Sequence, residues 1–243
     1  MIAATLAEGV TTIKNAAREP EISDLGNFLI ALGANISGLG TKVIKIHGKT
    51  KLNGCNYKIM PDRIEAGTFA LCVMGCSGRI VLENVNDILC KHLIEIFGKL
   101  ELLSIEKLKK GNKLLVYKNK KKKFKPIKIS TKEFPGFPTD LQAQLVASLL
   151  KSEGKSVIEE NIFENRFMHV SELKRMGGNL VLDGSKINVR GVEQINGAEV
   201  MATDLRASSS LIIAGLMAKG KTTINRVYHL DRGYENLEDK LKN

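Results

Sequence analysis

The sequence predicts a mixed α/β fold assembled from tandem repeats, on three observations. A glycine set among small residues and followed by a short β-branched run recurs at Gly9 (AEGVTTIKNA), Gly78 (CSGRIVLENV), Gly154 (SEGKSVIEEN) and Gly220 (AKGKTTINRV), roughly 70 residues apart. A helical stretch follows each run, and three of the four close on a second glycine, at Gly33, Gly98 and Gly177. The fourth, LEDKLKN, reaches Asn243 where its closing glycine falls due, and the first copy opens at MIAATLAEG, inside the helix expected before its own glycine. The pattern is that of a piece of a longer architecture, with something wanting at both ends.

Each repeat reads helix, strand, helix, strand, strand. In the second copy DRIEAGTFALCVMGC is a helix, GRIVLENV a strand with period-two alternation, and NDILCKHLIEIFG a helix with apolar residues every three to four positions. ELLSIEKLKKGNKLLVYKN follows as a hairpin turning at Gly111 and Asn112. The third and fourth copies keep this order, with TDLQAQLVASLLKSEG and TDLRASSSLIIAGLMAKG as first helices. Three such units would make a prism of helices and mixed sheets, and a boundary near Pro61 separates the tail of one domain from most of a second.

With 243 residues, 43% hydrophobic and 26% charged, the chain can bury one or two ordinary cores. No apolar run approaches the roughly 20 residues that span a bilayer, and no secretory leader pattern starts the chain. Cys55, Cys72, Cys76 and Cys90 form no CxxC pair and are expected as buried thiols in a reducing, cytoplasmic setting. Much of the net charge of +11 sits in Lys118, the lysines at 120–123, Lys125 and Lys128. Such a run can meet phosphates, but with only Tyr117 and Phe124 beside it there is no interleaved aromatic platform for bases, and it reads as a solvated loop.

The repeat also indicates where chemistry would gather. First helices begin with an Asp in register, Asp62, Asp140 and Asp204, each about 15 residues before its glycine, and helix capping alone could account for them. Second helices in the last two copies are expected to open with Glu164-Asn165-Arg166 and Asp231-Arg232-Gly233. If the helices run parallel, Arg166, Arg206 and Arg232 converge at their N-terminal ends, where free N–H groups favour an anion. The alternative is that each Arg pairs with a neighbouring carboxylate on the surface.

At these residues a resemblance emerges. PDRIEAGTF, FPGFPTDLQAQ, FENRFMHVSELKRMG, ATDLRAS and YHLDRGYENLEDKL resemble the bacterial UDP-N-acetylglucosamine 1-carboxyvinyltransferases, and the likeness runs through AATLAEG and NAAREPEISDLGNFLIALGANISG near the start. A sister family acts on shikimate 3-phosphate, but FPGFPTD and HLDRGYE favour the UDP-sugar enzymes. The resemblance implies an inside-out α/β barrel of βαβαββ units, and transfer of an enolpyruvyl group from phosphoenolpyruvate to the 3-hydroxyl of UDP-N-acetylglucosamine with release of phosphate, the committed step towards peptidoglycan. It makes Asp140 the general base, Ile162 a substrate contact beside Glu164, and Arg232 an arginine that engages the phosphate-bearing substrate; Arg166, Asp204 and Arg206 would line the cleft. No metal or organic cofactor, nucleic acid or membrane is implied.

The departures count as much as the match. The family's reactive cysteine loop, its N-terminal Lys-Asn pair and further arginines would all precede Met1, and none of the four cysteines here corresponds to that loop. Residues 1–60 would be the end of a first domain, and 61–243 most of a second with its last repeat cut short, leaving an apolar helix face at Phe28, Leu29 and Leu32 without neighbours. The chain on its own is then expected to be inactive: a non-catalytic fragment or half of a split enzyme that pairs with a separate N-terminal polypeptide. A basic nucleic-acid-binding protein is the remote alternative.

Overall fold

A computed structural model describes residues 1–99, 103–108, 112–118 and 124–242. The chain divides into two compact units, Met1–Pro61 with Glu133–Pro135, and Asp62–Lys132 with Gly136–Asn243. Gly111 and the lysines at 120–123 lie outside the described residues, as does the side chain of Cys90.

In the first unit β1 (Val10–Lys14), α1 (Pro20–Ala31), β2 (Asn35–Ser37) and β3 (Val43–His47) form one repeat. Its antiparallel sheet has the order β1-β3-β2. Pro20 opens α1 where its missing N–H costs nothing, and Gly33, at φ +100°, stands just past its end in a conformation a side chain would strain. The helix face expected to be bare is covered. Leu29 is 3% exposed and packs with Ala34, Ile36, Ile44 and Ile46, Leu32 lies against the same cluster, and Phe28 meets the Tyr57 ring at 5.4 Å. The cover comes from the unit's own sheet and from the segment after it, where Tyr57 Oη donates to Asp24 Oδ1 at 2.9 Å. Nor is the helix expected before Gly9 present: Ala3–Thr5 makes one 3-10 turn, and the Thr5 hydroxyl closes it by donating to Ile2 O.

The second unit begins with α2 (Arg63–Cys76), β4 (Arg79–Leu82), α3 (Asp87–Lys99), β5 (Ser104–Lys107) and β6 (Leu114–Tyr117). It continues with β7 (Lys128–Ser130), α4 (Gln142–Leu149), β8 (Lys155–Glu159), α5 (Met168–Arg175), β9 (Asn179–Asp183) and β10 (Lys186–Arg190). β11 (Glu199–Met201), α6 (Leu205–Met217), β12 (Thr223–Asn225), α7 (Tyr228–Asp231) and α8 (Leu237–Lys242) complete it. Sheet orders β4-β6-β5 and β8-β10-β9 repeat the β1-β3-β2 pattern, β7 joins β8 in parallel, and β11 pairs β12 in parallel.

Helices α2, α4 and α6 occupy the interior, and each packs on the sheet of its own repeat. Every residue of α4 is buried. Two hydrogen bonds set α2 and α4 parallel and in register: Gln144 Nε2 donates to Thr68 Oγ1, and one turn on Ser148 Oγ donates to Leu71 O. Close approach explains two glycines inside α2, where each costs about 1 kcal/mol of helix propensity. A Cβ on Gly67 would lie 2.5 Å from Leu141 Cδ1, and one on Gly75 would lie 2.7 Å from Met217 Sδ. Gly177 ends α5 at φ +92°, as expected, but Gly98 remains within α3, which runs on to Lys99.

The cysteines depart from expectation. Cys55, in the coil before Pro61, and Cys76, the last residue of α2, are exposed. Cys72 faces the packed side of α2, and burial, helped by the neighbouring Cys76, pushes its thiol up to about 12. Lys118 is not part of a free loop either: its Nζ donates to Met74 O at 3.2 Å and lies 3.9 Å over the buried ring of Phe124.

Candidate functional site

The starts of α2, α4 and α6 bear the three Asp residues that the repeat sets in register, and they are used in two different ways. Asp62 Oδ1 accepts from the N–H groups of Ile64 (2.6 Å) and Glu65 (3.1 Å), the geometry of an N-cap. Asp204 Oδ1 does the same for Arg206 (2.7 Å) and Ala207 (2.9 Å). Asp140 caps nothing. The chain enters α4 through a 3-10 turn, Thr139–Leu141, whose Leu141 N–H bonds back to Pro138 O at 3.0 Å. The Asp140 carboxylate is thereby free to face outward, one third exposed, and its Oδ1 accepts from Arg166 Nη1 at 2.9 Å and Arg206 Nε at 3.2 Å.

All seven residues singled out from the sequence, Asp140, Ile162, Glu164, Arg166, Asp204, Arg206 and Arg232, line one open cleft of about 740 Å³. Phe163, Asn165 and Leu205 complete it. The helix-start reading holds for Arg206 alone, the second residue of α6. Arg166 sits in the turn before α5, which begins at Met168, and Arg232 follows the four-residue α7. The arginines therefore reach the cleft from a helix, a turn and a helix end. Nor do they pair with sequence neighbours: Arg166 and Arg206 meet at Asp140, while Arg232 is exposed and has no ion-pair partner among the described residues.

Several residues behind the cleft were not singled out from the sequence. Gln144 Nε2 donates to Asp140 O (2.9 Å) and to Thr68 Oγ1 (3.1 Å), which uses both of its hydrogens. Thr68 gives its one proton to Ile64 O, so the Tyr234 hydroxyl, 2.9 Å away, donates to Thr68. This buried chain ties the Asp140 turn to the segment that carries Arg232. His169, 1% exposed, lies beneath. Burial lowers its pKa to about 4, with Arg166 adding to the effect and Asp204 opposing it. Beside the turn stands Glu160, and for it the sequence did hold a signal. Ser156, Ile158 and Glu160 alternate on the inward side of β8 and its extension, so a carboxylate occupies a core position.

The fold, interior helices each covered by the strands of its own repeat with a cleft at the helix starts, is shared with solved enolpyruvyl transferases. The chain belongs to the family described as EPSP synthase (3-phosphoshikimate 1-carboxyvinyltransferase), whose model matches residues 1–241. Among curated relatives it is 51% identical over 242 residues to the UDP-N-acetylglucosamine 1-carboxyvinyltransferase of Shewanella amazonensis, aligning 100% of this chain with 57% of that protein. It is 52% identical to the enzyme of that name from Rhizobium etli, over 99% of this chain and 55% of the relative. Among solved structures, the enolpyruvyl transferase NikO from Streptomyces tendae superposes with a TM-score of 0.83 at 25% identity, covering 98% of this chain and 56% of that one. EPSP synthase from Acinetobacter baumannii shares the fold at a TM-score of 0.72. The chain spans just over half the length of the relatives it matches. No described helix is long and apolar enough to cross a membrane.

Proposed function

We propose that this chain supplies one wall of the cleft in which an enolpyruvyl group passes from phosphoenolpyruvate to the 3-hydroxyl of UDP-N-acetylglucosamine in the cytoplasm, with release of phosphate. One observation carries the reading: of three Asp residues in register, only Asp140 leaves its carboxylate unspent on its own helix and directs it into a cleft between two arginines. The percentage identities to UDP-N-acetylglucosamine 1-carboxyvinyltransferases support the choice of sugar acceptor.

In this reading Asp140 takes the proton of the sugar hydroxyl as its oxygen attacks the substituted enol carbon. The methylene carbon gains a proton from an acid that the opposite wall must supply, giving a tetrahedral ketal; the new methyl group then gives a proton back to that wall as the C–O bond to phosphate breaks and the double bond returns. Arg166, Arg206 and Arg232 hold the phosphate and carboxylate, and charge-assisted bonds of this kind are the strong ones. An arriving anion competes for the two guanidiniums on Asp140, which returns carboxylate lone pairs to the hydroxyl at the moment they are needed. Ile162 and Glu164 contact the sugar nucleotide, and Asp204 keeps α6, with Arg206 on it, in place. No cofactor enters these steps. Residues 1–60 correspond in this reading to the end of a first domain and 61–243 to most of a second.

Such a cleft needs its opposite wall. The purified 243-residue chain should release no phosphate from the two substrates, and coexpression with a polypeptide carrying the remaining N-terminal half of a relative should restore release. Turnover by the chain alone, above an Asp140→Ala control, would refute the first expectation. Restored turnover that is indifferent to Asp140→Ala and Arg232→Ala would refute the site.

A further inference from the structure

We propose that Glu160 is a positioning residue of this cleft: a buried carboxylate that fixes the wall at 161–166 and aims Arg166, so that affinity for the sugar nucleotide depends on a side chain the ligand never meets. This rests on the functional reading above for the identity of the ligand, and on geometry alone for the rest.

Glu160 is 2% exposed and has four donors around it. Its Oε1 accepts from Thr131 Oγ1 (2.8 Å) and from the consecutive N–H groups of Ile162 (2.9 Å) and Phe163 (3.1 Å). Its Oε2 accepts from Thr139 Oγ1 at 2.9 Å. Thr131 Oγ1 in turn accepts from Asn161 N at 2.9 Å, so three successive amides are held from the ends of the adjacent strands β7 and β8. With their amides turned inward, Ile162 and Phe163 hold their side chains out, 41% and 50% exposed, along the cleft.

Proton counting then fixes Arg166. Thr139 has one hydroxyl proton and gives it to Glu160, so towards Arg166 it can only accept. Arg166 Nη1 donates to Thr139 Oγ1 and to Asp140 Oδ1, both at 2.9 Å, while its guanidinium lies 4.3 Å over the Phe163 ring. Without the Glu160 carboxylate the Thr139 proton has no assigned acceptor, and its hydroxyl can turn that proton towards the arginine. The wall would lose its inward anchor at the same time. A carboxylate acting merely as core structure would lower stability without disturbing the ligand selectively.

The test uses the full chain and compares Glu160→Ala and Glu160→Gln with Val200→Ala, a core substitution in the β11 strand. Amide hydrogen exchange at Ile162 and Phe163 is measured beside thermal stability, and calorimetric affinity for UDP-N-acetylglucosamine is measured on the chain paired with the N-terminal half of a relative. In Glu160→Ala both amides should exchange about 100-fold faster and affinity should fall about tenfold or more. Glu160→Gln, which keeps an acceptor oxygen for the two amides but meets Thr139 with an N–H donor, should recover their protection and only part of the affinity. Val200→Ala should lower the melting temperature and move neither readout. Unchanged protection in Glu160→Ala, or a selective loss reproduced by Val200→Ala, overturns the proposal. A wild-type pair of this chain with the N-terminal half that fails to bind the nucleotide counts against the functional reading, and Glu160 is then judged on the exchange result.

Discussion

Asp62 and Asp140 stand at matching places in their repeats, before parallel helices that pack on each other, and the difference between them separates architecture from chemistry. Asp62 spends its carboxylate on two N–H groups of its own helix. Asp140 is relieved of that task because a 3-10 turn closes on backbone bonds, and its carboxylate meets arginines 26 and 66 residues away. Asp204 lies between the extremes, capping α6 through Oδ1 while lining the cleft. A repeat can therefore carry function without losing its fold wherever the backbone satisfies its own helix start.

The largest effect that could break this comparison is on turnover. In the reconstituted pair Asp140→Ala should lower kcat by about 100 to 10,000-fold while changing stability by less than about 1 kcal/mol, because its ion pairs are partly exposed. Asp62→Ala should leave kcat as it was. Equal turnover for both variants, measured as phosphate release, would show that the two positions do not differ in kind.

A pH titration sharpens the same contrast from beneath. His169 is neutral in the fold down to about pH 4, whereas in the unfolded chain it takes up a proton near 6.5. A folded pKa below the unfolded one means that this contribution is complete above about pH 6.5 and is lost as pH falls towards 4. The loss amounts to about 3 kcal/mol across the window. Denaturation at stepped pH should record it, and His169→Gln should flatten the slope; an unchanged slope would place the proton elsewhere.

Arg232 offers the next test, since it faces the cleft without an ion-pair partner among the described residues. Replacing it by Ala should weaken use of phosphoenolpyruvate by about 1.5 to 3 kcal/mol and leave the melting temperature alone, as seen in the KM of the reconstituted pair. The smallest effects belong to the caps. Asp62→Ala should cost about 1 kcal/mol of stability and Asp62→Asn only a few tenths. Asp204→Asn should be equally mild in denaturant melts yet lower turnover, because the cap survives and the charge facing the cleft does not.

Much of this was legible in the chain. The glycine and Asp registers located the interior helices, and the resemblance carried by FPGFPTD, FENRFMH, ATDLRAS and HLDRGYE picked out seven residues that share one cleft. The burial of single residues was harder to read. Cys76 falls at helical spacing in an apolar stretch, as a core residue would, and is exposed because the helix ends there. Phe28, Leu29 and Leu32 read as an uncovered face because their cover, paired strands over Leu29 and Leu32 and the Tyr57 ring against Phe28, is not a local property. Glu160 was passed over although its inward register on β8 was visible, because one charged residue at a strand end is ordinary until its four donors are known.

By itself the sequence determined the repeat, the order of helices and strands within it, and the residue types available at each helix start. These follow from hydrophobic periodicity, glycine conformation and capping chemistry, all of which act within a few positions along the chain. Only the tertiary structure decided which Asp caps and which faces the arginines, because that choice depends on where Arg166 and Arg206 arrive and on whether the backbone before α4 closes its own turn. Hydrogen bonds are short-ranged and directional. Three residues alike in sequence therefore take different roles once distant partners come within about 3 Å of one of them.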